Sequence, residues 1–315
     1  MDLSPEPIIK TKNQLKLSDI SVAGKIWDKH RANAQKISEY YADAEEDGFA
    51  RYAWRVKNCS KWLEFNLLDD QEGTVQLQLT DARFCRVRHC PVCQWRRSLM
   101  WKAKICKILP QITSDYPKHR WLFITLTLKN CDIKELRSVL NLINKSFKRL
   151  TELKIWRFKG WIKSVEVTRG QDRVSAHPHL HILAMAPPSY FSHGYITQAK
   201  WVNIWQECLR VNYQPVVHVS AIAKHQDPKI IIPEILKYQV KESDLVADAK
   251  WFLELTRQLH KTRGISVGGI LREYMQELEG ISQELVNETE QAQKNEEESL
   301  CFTWQKRMEK YTYLQ

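Results

Sequence analysis

The stretch His177-Pro178-His179-Leu180-His181-Ile182-Leu183-Ala184-Met185 decides the fold of this chain. In a β-strand alternate residues share a face, so the three histidines lie on one side and the apolar residues between them face a core. Residues two apart are about 6–7 Å from each other along a strand, which lets His179 and His181 share one metal ion. His177 is in line with them one step earlier. We therefore expect a strand with one buried face and one metal-binding face.

The sequence on both sides alternates strands with helices. Enrichment in apolar and β-branched residues predicts further strands over 121–128, 160–168 and 215–223. Apolar residues at helical spacing predict helices over 132–153 and 197–211. The order β-α-β-β-α-β is the ferredoxin-like arrangement, in which right-handed crossovers place the first and third strands centrally. We therefore expect an α+β fold with an antiparallel sheet.

The rest of the chain divides into regions around this core. We expect a flexible leader over 1–16, a helical and cysteine-containing segment over 17–113, the core over 114–245 and a largely helical region over 246–315. In the second region the pattern predicts helix over 17–58, short strands at 62–68 and 74–79, and a basic helix over about 98–113 that ends near Pro110.

The balance of charge favours a polyanionic partner. Lys and Arg number 48 against 37 Asp and Glu, a net charge of +11, and a basic surface attracts nucleic acid. Between residues 83 and 121, where Asp115 is the only acidic residue, Trp95, Trp101 and Trp121 either stack on unpaired bases or fill a core. The residues expected to contact phosphates, unless they form a merely solvated helix face, are Arg86, Arg88, Arg96, Arg97, Lys102 and Lys104.

The sequence has no membrane or secretion signal. No apolar run approaches the ~20 residues that cross a bilayer, and residues 1–16 contain no apolar signal-peptide segment. We expect a cytoplasmic protein without a membrane partner. Its eight cysteines then indicate metal ligation or free thiols rather than disulfides.

Three cysteines have a zinc-type spacing. Cys85, Cys90 and Cys93 follow the pattern Cys-x4-Cys-x2-Cys, and soft thiolates at this spacing favour a structural Zn²⁺. Cys59, returned by the two short strands, is expected as the fourth ligand, with His89 as the alternative. A redox dithiol is the competing interpretation. A closed zinc site would stabilise a small segment that has little core of its own.

Glu166 is the candidate third ligand for the histidine pair. If the hairpin before the histidine strand turns about residues 173–174, Glu166 lies opposite His181, at the ~5 Å typical of cross-strand partners. Two imidazoles and a carboxylate suit Mg²⁺, Mn²⁺ or a similar divalent ion with open positions. The alternatives are that Glu166 is an outward-facing charge and that His177 is the third ligand.

A second polar group lies on a predicted helix over 233–241. Residues four apart share a helix face, which pairs Glu234 with Tyr238 and Lys237 with Lys241. A tyrosine phenol has a pKa near 10, so it leaves a phosphate more readily than an aliphatic alcohol does, and a nearby lysine or metal lowers that pKa further. A carboxylate one turn away accepts a proton from water or a hydroxyl. The alternative is a half-buried tyrosine beside a surface ion-pair residue.

Together these motifs resemble plasmid rolling-circle replication initiators, the HUH endonucleases with a single catalytic tyrosine, and specifically the group with an N-terminal cysteine cluster. The resemblance covers about residues 59–272 and rests on the order of the segments. They are the cysteine segment over 84–97, Phe123-Ile124-Thr125-Leu126-Thr127, the histidine strand over 177–183, Glu234-Ile235-Leu236-Lys237-Tyr238, and the segment over 261–272.

The resemblance implies a role for each group. Tyr238 attacks a phosphodiester at a single-stranded or hairpin nick site of a plasmid origin, which leaves a 5′-phosphotyrosyl link and a 3′-OH that primes synthesis. His179 and His181 hold the divalent ion that polarises the scissile phosphate, and Glu234 activates water at termination. A host helicase and polymerase are the implied partners.

Two other functions compete with this one. A related HUH relaxase or transposase has the same chemistry, although relaxases often place the tyrosine before the histidines and Tyr238 follows them. A non-catalytic, zinc-containing DNA-binding regulator is the second alternative, and in it the histidines are structural.

Overall fold

The structure is a computed structural model that describes residues 15–44, 47–69, 75–223, 232, 236, 240–278 and 299–314. The chain forms two compact units. One combines Met1–Arg96 with Ser282–Gln315, and the other is Arg97–Ile281. We call them the terminal unit and the central unit. Most of the leader expected over 1–16 lies outside the described residues.

The helices, in chain order, are α1 (Leu17–Ile20), α2 (Val22–Ala42), α3 (Asp47–Lys57), α4 (Pro91–Asp115), α5 (Leu136–Glu152), α6 (Gln198–Leu209), α7 (Glu242–Leu245), α8 (Ala249–Gln258) and α9 (Leu271–Gln276). The strands are β1 (Trp62–Asp69), β2 (Val75–Ala82), β3 (Arg120–Thr127), β4 (Gly160–Arg169), β5 (Ala176–Ala186), β6 (Val217–Ala221), β7 (Ile265–Gly269), β8 (Ser299–Gln305) and β9 (Lys310–Tyr313). Within the described residues, no helix has both the length and the apolar character needed to cross a membrane.

The terminal unit packs the N-terminal helices with an antiparallel sheet in the order β2-β1-β8-β9. Tyr311 of β9 is fully buried, and its ring contacts Trp27 and Trp304. The Tyr311 hydroxyl donates to the backbone oxygen of Ser60 at 2.6 Å and lies 2.9 Å from its Oγ. The late strands β8 and β9 therefore complete a sheet whose other two strands, β1 and β2, come early in the chain.

The central unit is built on a sheet in the order β6-β3-β5-β4-β7, and every neighbouring pair is antiparallel. The first and third strands of the β-α-β-β-α-β run, β3 and β5, are interior strands, as the crossover rule predicts. The predicted α+β class and ferredoxin-like strand order are confirmed. β7 adds an edge strand beside β4.

The two faces of the central sheet bury different layers. Leu180 and Ile182, predicted to face a core, are fully buried on the face that packs against α5. Ile162 and Leu183 point to the opposite face, where they form a buried cluster with residues from the second half of α4. The histidines of β5 share this second face, because alternate residues of a strand point the same way.

Helix α4 is longer than the sequence pattern predicts. It begins at Pro91 and continues through Pro110 to Asp115, so the prediction that it starts near 98 and ends at Pro110 is wrong. Proline is well suited to the first helical position because the N–H it lacks is unpaired there anyway. Pro110 removes one main-chain hydrogen bond, but Ile108 and Ile112 are buried on either side of it and hold the helix on the core.

The region beyond residue 245 contains strands as well as helices. β7 joins the central sheet, and β8 and β9 join the terminal sheet, so the expectation of a largely helical region is wrong for these segments. β7 has five residues and β9 has four. Runs this short show too little alternation to predict a strand.

Candidate active site and cysteine cluster

Glu166, His179 and His181 meet on one face of the central sheet. Strands β4 and β5 pair so that Glu166 lies directly opposite His179, and Ser164 lies opposite His181. The predicted pairing of Glu166 with His181 is therefore wrong by two residues, because the hairpin turns about residues 172–173. His181 is instead the diagonal neighbour of Glu166, which a long side chain still reaches.

The three side chains converge closely. Oε2 of Glu166 lies 3.1 Å from Nε2 of His179 and 2.9 Å from Nε2 of His181. All three ligand atoms lie within 4.8 Å of one another, so a single cation could contact each of them. Glu166 and His181 are buried, whereas His179 is half-buried. The site therefore keeps one partly accessible side.

The electrostatics of the site favour an ionised carboxylate. Burial by itself raises the pKa of the Glu166 carboxyl, but hydrogen bonds from His179 and His181 outweigh burial and hold that pKa well below its usual range. A carboxylate with two imidazoles is an oxygen and nitrogen donor set that hard and intermediate divalent ions accept. The arrangement can therefore hold a metal of the Mg²⁺ or Mn²⁺ type.

Two residues of β3 for which the sequence predicted no role hold His181 in place. Thr125 lies opposite His181, and its Oγ1 is 3.1 Å from Nδ1. The Phe123 ring stacks on the imidazole with centroids 5.4 Å apart. The contact at Nδ1 fixes the orientation of the ring, so that Nε2 points at Glu166 and toward the position that a shared metal ion would take. The alternation Phe-x-Thr-x-Thr in β3 is the sequence signal that points to these residues.

His177 lies beside the cluster rather than in it. Its ring centroid is 5.3 Å from that of His179, and it pairs across the sheet with Thr168. Burial, followed by the neighbouring His179, lowers the pKa of His177. The backbone oxygen of His177 is 3.3 Å from Nδ1 of His179. His177 therefore contacts a candidate ligand through its main chain.

Most of the second predicted group lies outside the described residues. This applies to Tyr238, Glu234 and Lys237, and to most of the helix predicted over 233–241. Lys241 is described, is exposed and directly precedes α7.

Described residues that flank Tyr238 in the chain are buried in the central unit. Ile232 and Leu236 are buried in the same core cluster as Leu183. Val240 is fully buried and forms a parallel bridge with Val167, the neighbour of Glu166. The described residues on either side of position 238 therefore pack into the central unit, and Val240 pairs directly with the neighbour of Glu166.

The cysteines of the zinc-type pattern meet in the terminal unit. Cys59 follows α3, Cys85 follows β2, and Cys90 and Cys93 flank the start of α4. Their sulfurs lie within 4.8 Å of one another, with Cys93 3.6 Å from both Cys59 and Cys85. A tetrahedral site with ~2.3 Å metal–sulfur bonds has sulfur–sulfur edges of about 3.8 Å. The group therefore has the size of a four-thiolate site, and His89, the alternative ligand, is not part of it.

Backbone N–H groups point at these sulfurs. The N–H of Cys85 donates to Sγ of Cys59 at 3.4 Å, that of Arg86 to Cys93 at 3.3 Å, and that of Val87 to Cys85 at 3.4 Å. Hydrogen bonds from the neighbouring thiols lower the pKa of Cys93 well below its usual range, whereas burial raises the pKa of Cys90 and the hydrogen bond with Cys85 raises that of Cys59. Donors around sulfur stabilise the thiolate form that binds metals.

The predicted phosphate-contacting residues differ in exposure. The exposed ones are Arg86, Arg97 and Lys102, and the half-buried ones are Arg88, Arg96 and Lys104. The guanidinium of Arg96 lies 4.2 Å from the centre of the Phe84 ring. The exposed members are the ones that the structure leaves accessible to a phosphate.

The tryptophans near these basic residues pack inside the protein. Trp95 lies edge-on to Trp27 at 4.8 Å and stacks on His30 at 4.9 Å. Trp121 is 7% exposed, and Trp101 packs against the core cluster of the central unit. Of the two roles considered for them, the structure shows core packing.

Known proteins match this chain over most of its length. The family model described as Replication protein matches residues 76–312. A "Protein rep" from Lactiplantibacillus plantarum is 34% identical over 267 residues, which cover 80% of this chain and 81% of that protein. A "Protein rep" from Streptococcus pneumoniae serotype 2 is 34% identical over 232 residues, which cover 71% of each chain. A "Replication protein" from Staphylococcus aureus is 32% identical over 186 residues, which cover 55% of this chain and 79% of that protein. No solved structure gives a significant match.

Proposed function

We propose a reaction for this chain, which belongs to the replication protein family and is a plasmid replication initiator. It nicks one strand of the plasmid origin by transferring a phosphodiester to Tyr238, frees a 3′-OH for rolling-circle synthesis, and rejoins or hydrolyses the link at termination. The observation that carries the proposal is the cluster of Glu166, His179 and His181 beside the anchored ends of the segment that contains Tyr238.

The donor set fits a catalytic divalent ion. Glu166, His179 and His181 converge, and each imidazole has a second contact that orients it, Thr125 for His181 and the His177 carbonyl for His179. We assign the site to Mg²⁺ or Mn²⁺, which when bound would neutralise charge on the scissile phosphate. In this assignment Glu166 is the third ligand and His177 is a positioning residue.

Tyr238 is the proposed nucleophile. Its phenol oxygen bonds to phosphorus while the bond from phosphorus to the 3′ oxygen of the preceding nucleotide breaks. The phenol loses a proton and the 3′ oxygen gains one, so a 5′-phosphotyrosyl diester and a 3′-OH result. Leu236 and Val240 are each two residues from Tyr238 in the sequence. Leu236 is buried in the core cluster that includes Leu183 of the histidine strand, and Val240 pairs with the neighbour of Glu166.

Charged neighbours in the sequence support the same residue. Lys237 and Lys241 would lower the pKa of the phenol by stabilising the phenolate. At termination, Glu234 would accept a proton from water as that water attacks phosphorus and the phenol leaves. Attack by a 3′-OH instead of water rejoins the strand. Either route releases the protein without a second tyrosine.

The cysteine cluster is a separate, structural part of the proposal. Cys59, Cys85, Cys90 and Cys93 would hold Zn²⁺, and four thiolates leave no open position for a substrate or water. The site would join the end of α3, the end of β2 and the start of α4 into one folded segment.

Origin DNA is the proposed partner of the basic residues. Arg86, Arg97 and Lys102 would contact phosphates first, since they are exposed. Arg88, Arg96 and Lys104 are proposed for the same role, although they are half-buried and extend less far into solvent. A single-stranded or hairpin nick site, a host helicase, a host polymerase and a cytoplasmic location stay predictions.

Nicking of supercoiled plasmid tests the proposal. With Mn²⁺ and origin-bearing plasmid, the wild type is expected to produce nicked DNA and an adduct that mass spectrometry localises to Tyr238. Tyr238→Phe should lose both products. Tyr274→Phe, which removes a hydroxyl that donates a hydrogen bond to Asp115, should still give the nicked DNA and the adduct.

Three outcomes would contradict the proposal. Persistent nicking by Tyr238→Phe would remove the nucleophile assignment. A wild type that binds origin DNA but nicks neither supercoiled nor single-stranded origin would favour the DNA-binding regulator. Nicking of a transfer or transposon end instead of a replication origin would favour the relaxase or transposase.

A further inference from the structure

A cleft in the central unit lies at the far end of the sheet from the metal-binding residues and has no role in the proposed cleavage. Its volume is about 340 Å³, and it is lined by the loop between α5 and β4, the segment after β5 and the start of α6. Ala186, where β5 ends, is five residues beyond His181, which corresponds to roughly 17 Å along a strand.

The lining of the cleft is positively charged. Lys154, Arg157 and Lys200 line it, and all three are exposed. In the part of the chain that the structure describes, no carboxylate is among the lining residues. Glu152, the acidic residue nearest in sequence, lies 3.8 Å from Lys148 instead. The cleft therefore presents cations that can accept an anionic ligand.

One wall carries an exposed aromatic ring on a buried base. Tyr195 is 64% exposed, and its ring contacts that of Tyr190 edge-on at 6.1 Å. Tyr190 is buried, packs on Phe158 at 5.6 Å, and accepts a hydrogen bond from Nε1 of Trp201 at 3.3 Å. The exposed ring is thus the outer end of a packed aromatic column.

The loop that presents Tyr195 is closed tightly. The N–H of Gly194 donates to the carbonyl of Ser189 at 2.8 Å, and a Cβ at position 194 would lie only 2.9 Å from that oxygen. A residue with a side chain would therefore push the two segments apart. The close approach fixes the backbone that leads into Tyr195.

We propose that this cleft binds an unpaired nucleotide of single-stranded DNA, with the base stacked on Tyr195 and the phosphates at Lys154, Arg157 and Lys200. An aromatic ring in a basic groove is the usual, sequence-tolerant arrangement for binding single strands, and the volume is that of a small-ligand pocket. The inference rests on the proposed function, to which it adds a DNA contact remote from the cleavage centre.

Binding of a labelled oligodeoxythymidine to the full chain, without a catalytic metal, tests the cleft. Tyr195→Ala should weaken binding roughly 5- to 160-fold, and Tyr195→Phe should retain it. Arg157→Ala with Lys200→Ala should reduce the slope of log affinity against log salt by about 1.4. The matched control, Lys145→Ala with Lys250→Ala, removes two exposed lysines elsewhere in the central unit and should leave that slope unchanged.

Competition separates a nucleotide site from a plain anion site. Thymidine monophosphate should compete better than inorganic phosphate, and Tyr195→Ala should abolish that difference. Unchanged oligonucleotide affinity in Tyr195→Ala, equal salt slopes in the two double variants, or equal competition by the two anions would each overturn the proposal. A wild type that binds through Tyr195 yet fails to nick origin DNA would contradict the cleavage reaction alone.

Discussion

Replacing Thr125 with valine tests whether its hydroxyl orients His181 toward a metal. Valine has nearly the same shape, so the substitution leaves Nδ1 of His181 without the partner that lies 3.1 Å away. His181 is 9% exposed, and a buried donor or acceptor left unpaired costs about 1–3 kcal/mol of stability. Losing an outer hydrogen bond to a metal ligand lowers metal affinity roughly 10- to 100-fold, which is about 1.4–2.7 kcal/mol. We therefore expect the Kd for Mn²⁺ to rise roughly 10- to 100-fold.

Calorimetric titration of Mn²⁺ into the full chain measures this change. Thr127→Val is the matched control, because Thr127 lies on the same strand opposite His179 but donates to the carbonyl of Val216 at 2.9 Å. Its Kd should change by less than about threefold. An unchanged Kd for Thr125→Val, or equal losses in both variants, would refute the reasoning.

The cysteine cluster, Lys163 and Tyr311 each give a further prediction. We expect elemental analysis to find zinc in the wild type and in Cys106→Ser but not in Cys90→Ser. Zinc retained by Cys90→Ser would contradict the four-thiolate site. Burial lowers the pKa of Lys163 from 10.5 to about 8, so the unfolded chain binds more protons between these values and stability should rise with pH across that interval. In urea titrations, the free energy of unfolding of Lys163→Met should lack this rise with pH and should exceed that of the wild type by up to about 3 kcal/mol at neutral pH. An unaltered pH profile would contradict the lowered pKa of Lys163. Tyr311→Phe removes the hydroxyl that bonds to a buried backbone oxygen and should cost about 1–3 kcal/mol, against less than about 0.5 kcal/mol for the half-buried Tyr313→Phe. Equal costs for the two tyrosines would show that the buried hydrogen bond contributes nothing.

The core of the fold is predictable because its strands are long and its helices strongly periodic. β4 and β5 run for ten and eleven residues, which is enough for alternation and β-branched enrichment to appear. Pro110 is the opposite case, since a strong local stop signal loses to burial of the residues around it. Local residue preference sets the ends of a helix or strand where packing is weak, whereas burial sets them where packing is strong.

The candidate site is predictable only where it is local. His179 and His181 share a face because both belong to one strand. The predicted face of Glu166 is correct even though its pairing is wrong by two residues, because strand faces repeat every second residue. Thr125 and Phe123 reach His181 through the pairing of β3 with β5, and no pattern within either strand encodes that pairing.

Synthesis on the ribosome separates the two halves of the terminal sheet in time. β8 pairs with β1, yet the whole of Arg97–Ile281 is translated between the two parts of the terminal unit. At about 5–20 residues per second this takes roughly 10–40 s. During that interval Cys59 already exists, but Tyr311, whose hydroxyl bonds to the adjacent Ser60, has not been made. The contiguous central unit can fold first, whereas the terminal sheet is completed only when β8 and β9 have been made. A prematurely terminated product would therefore carry the Glu166 site but lack two strands of the terminal sheet.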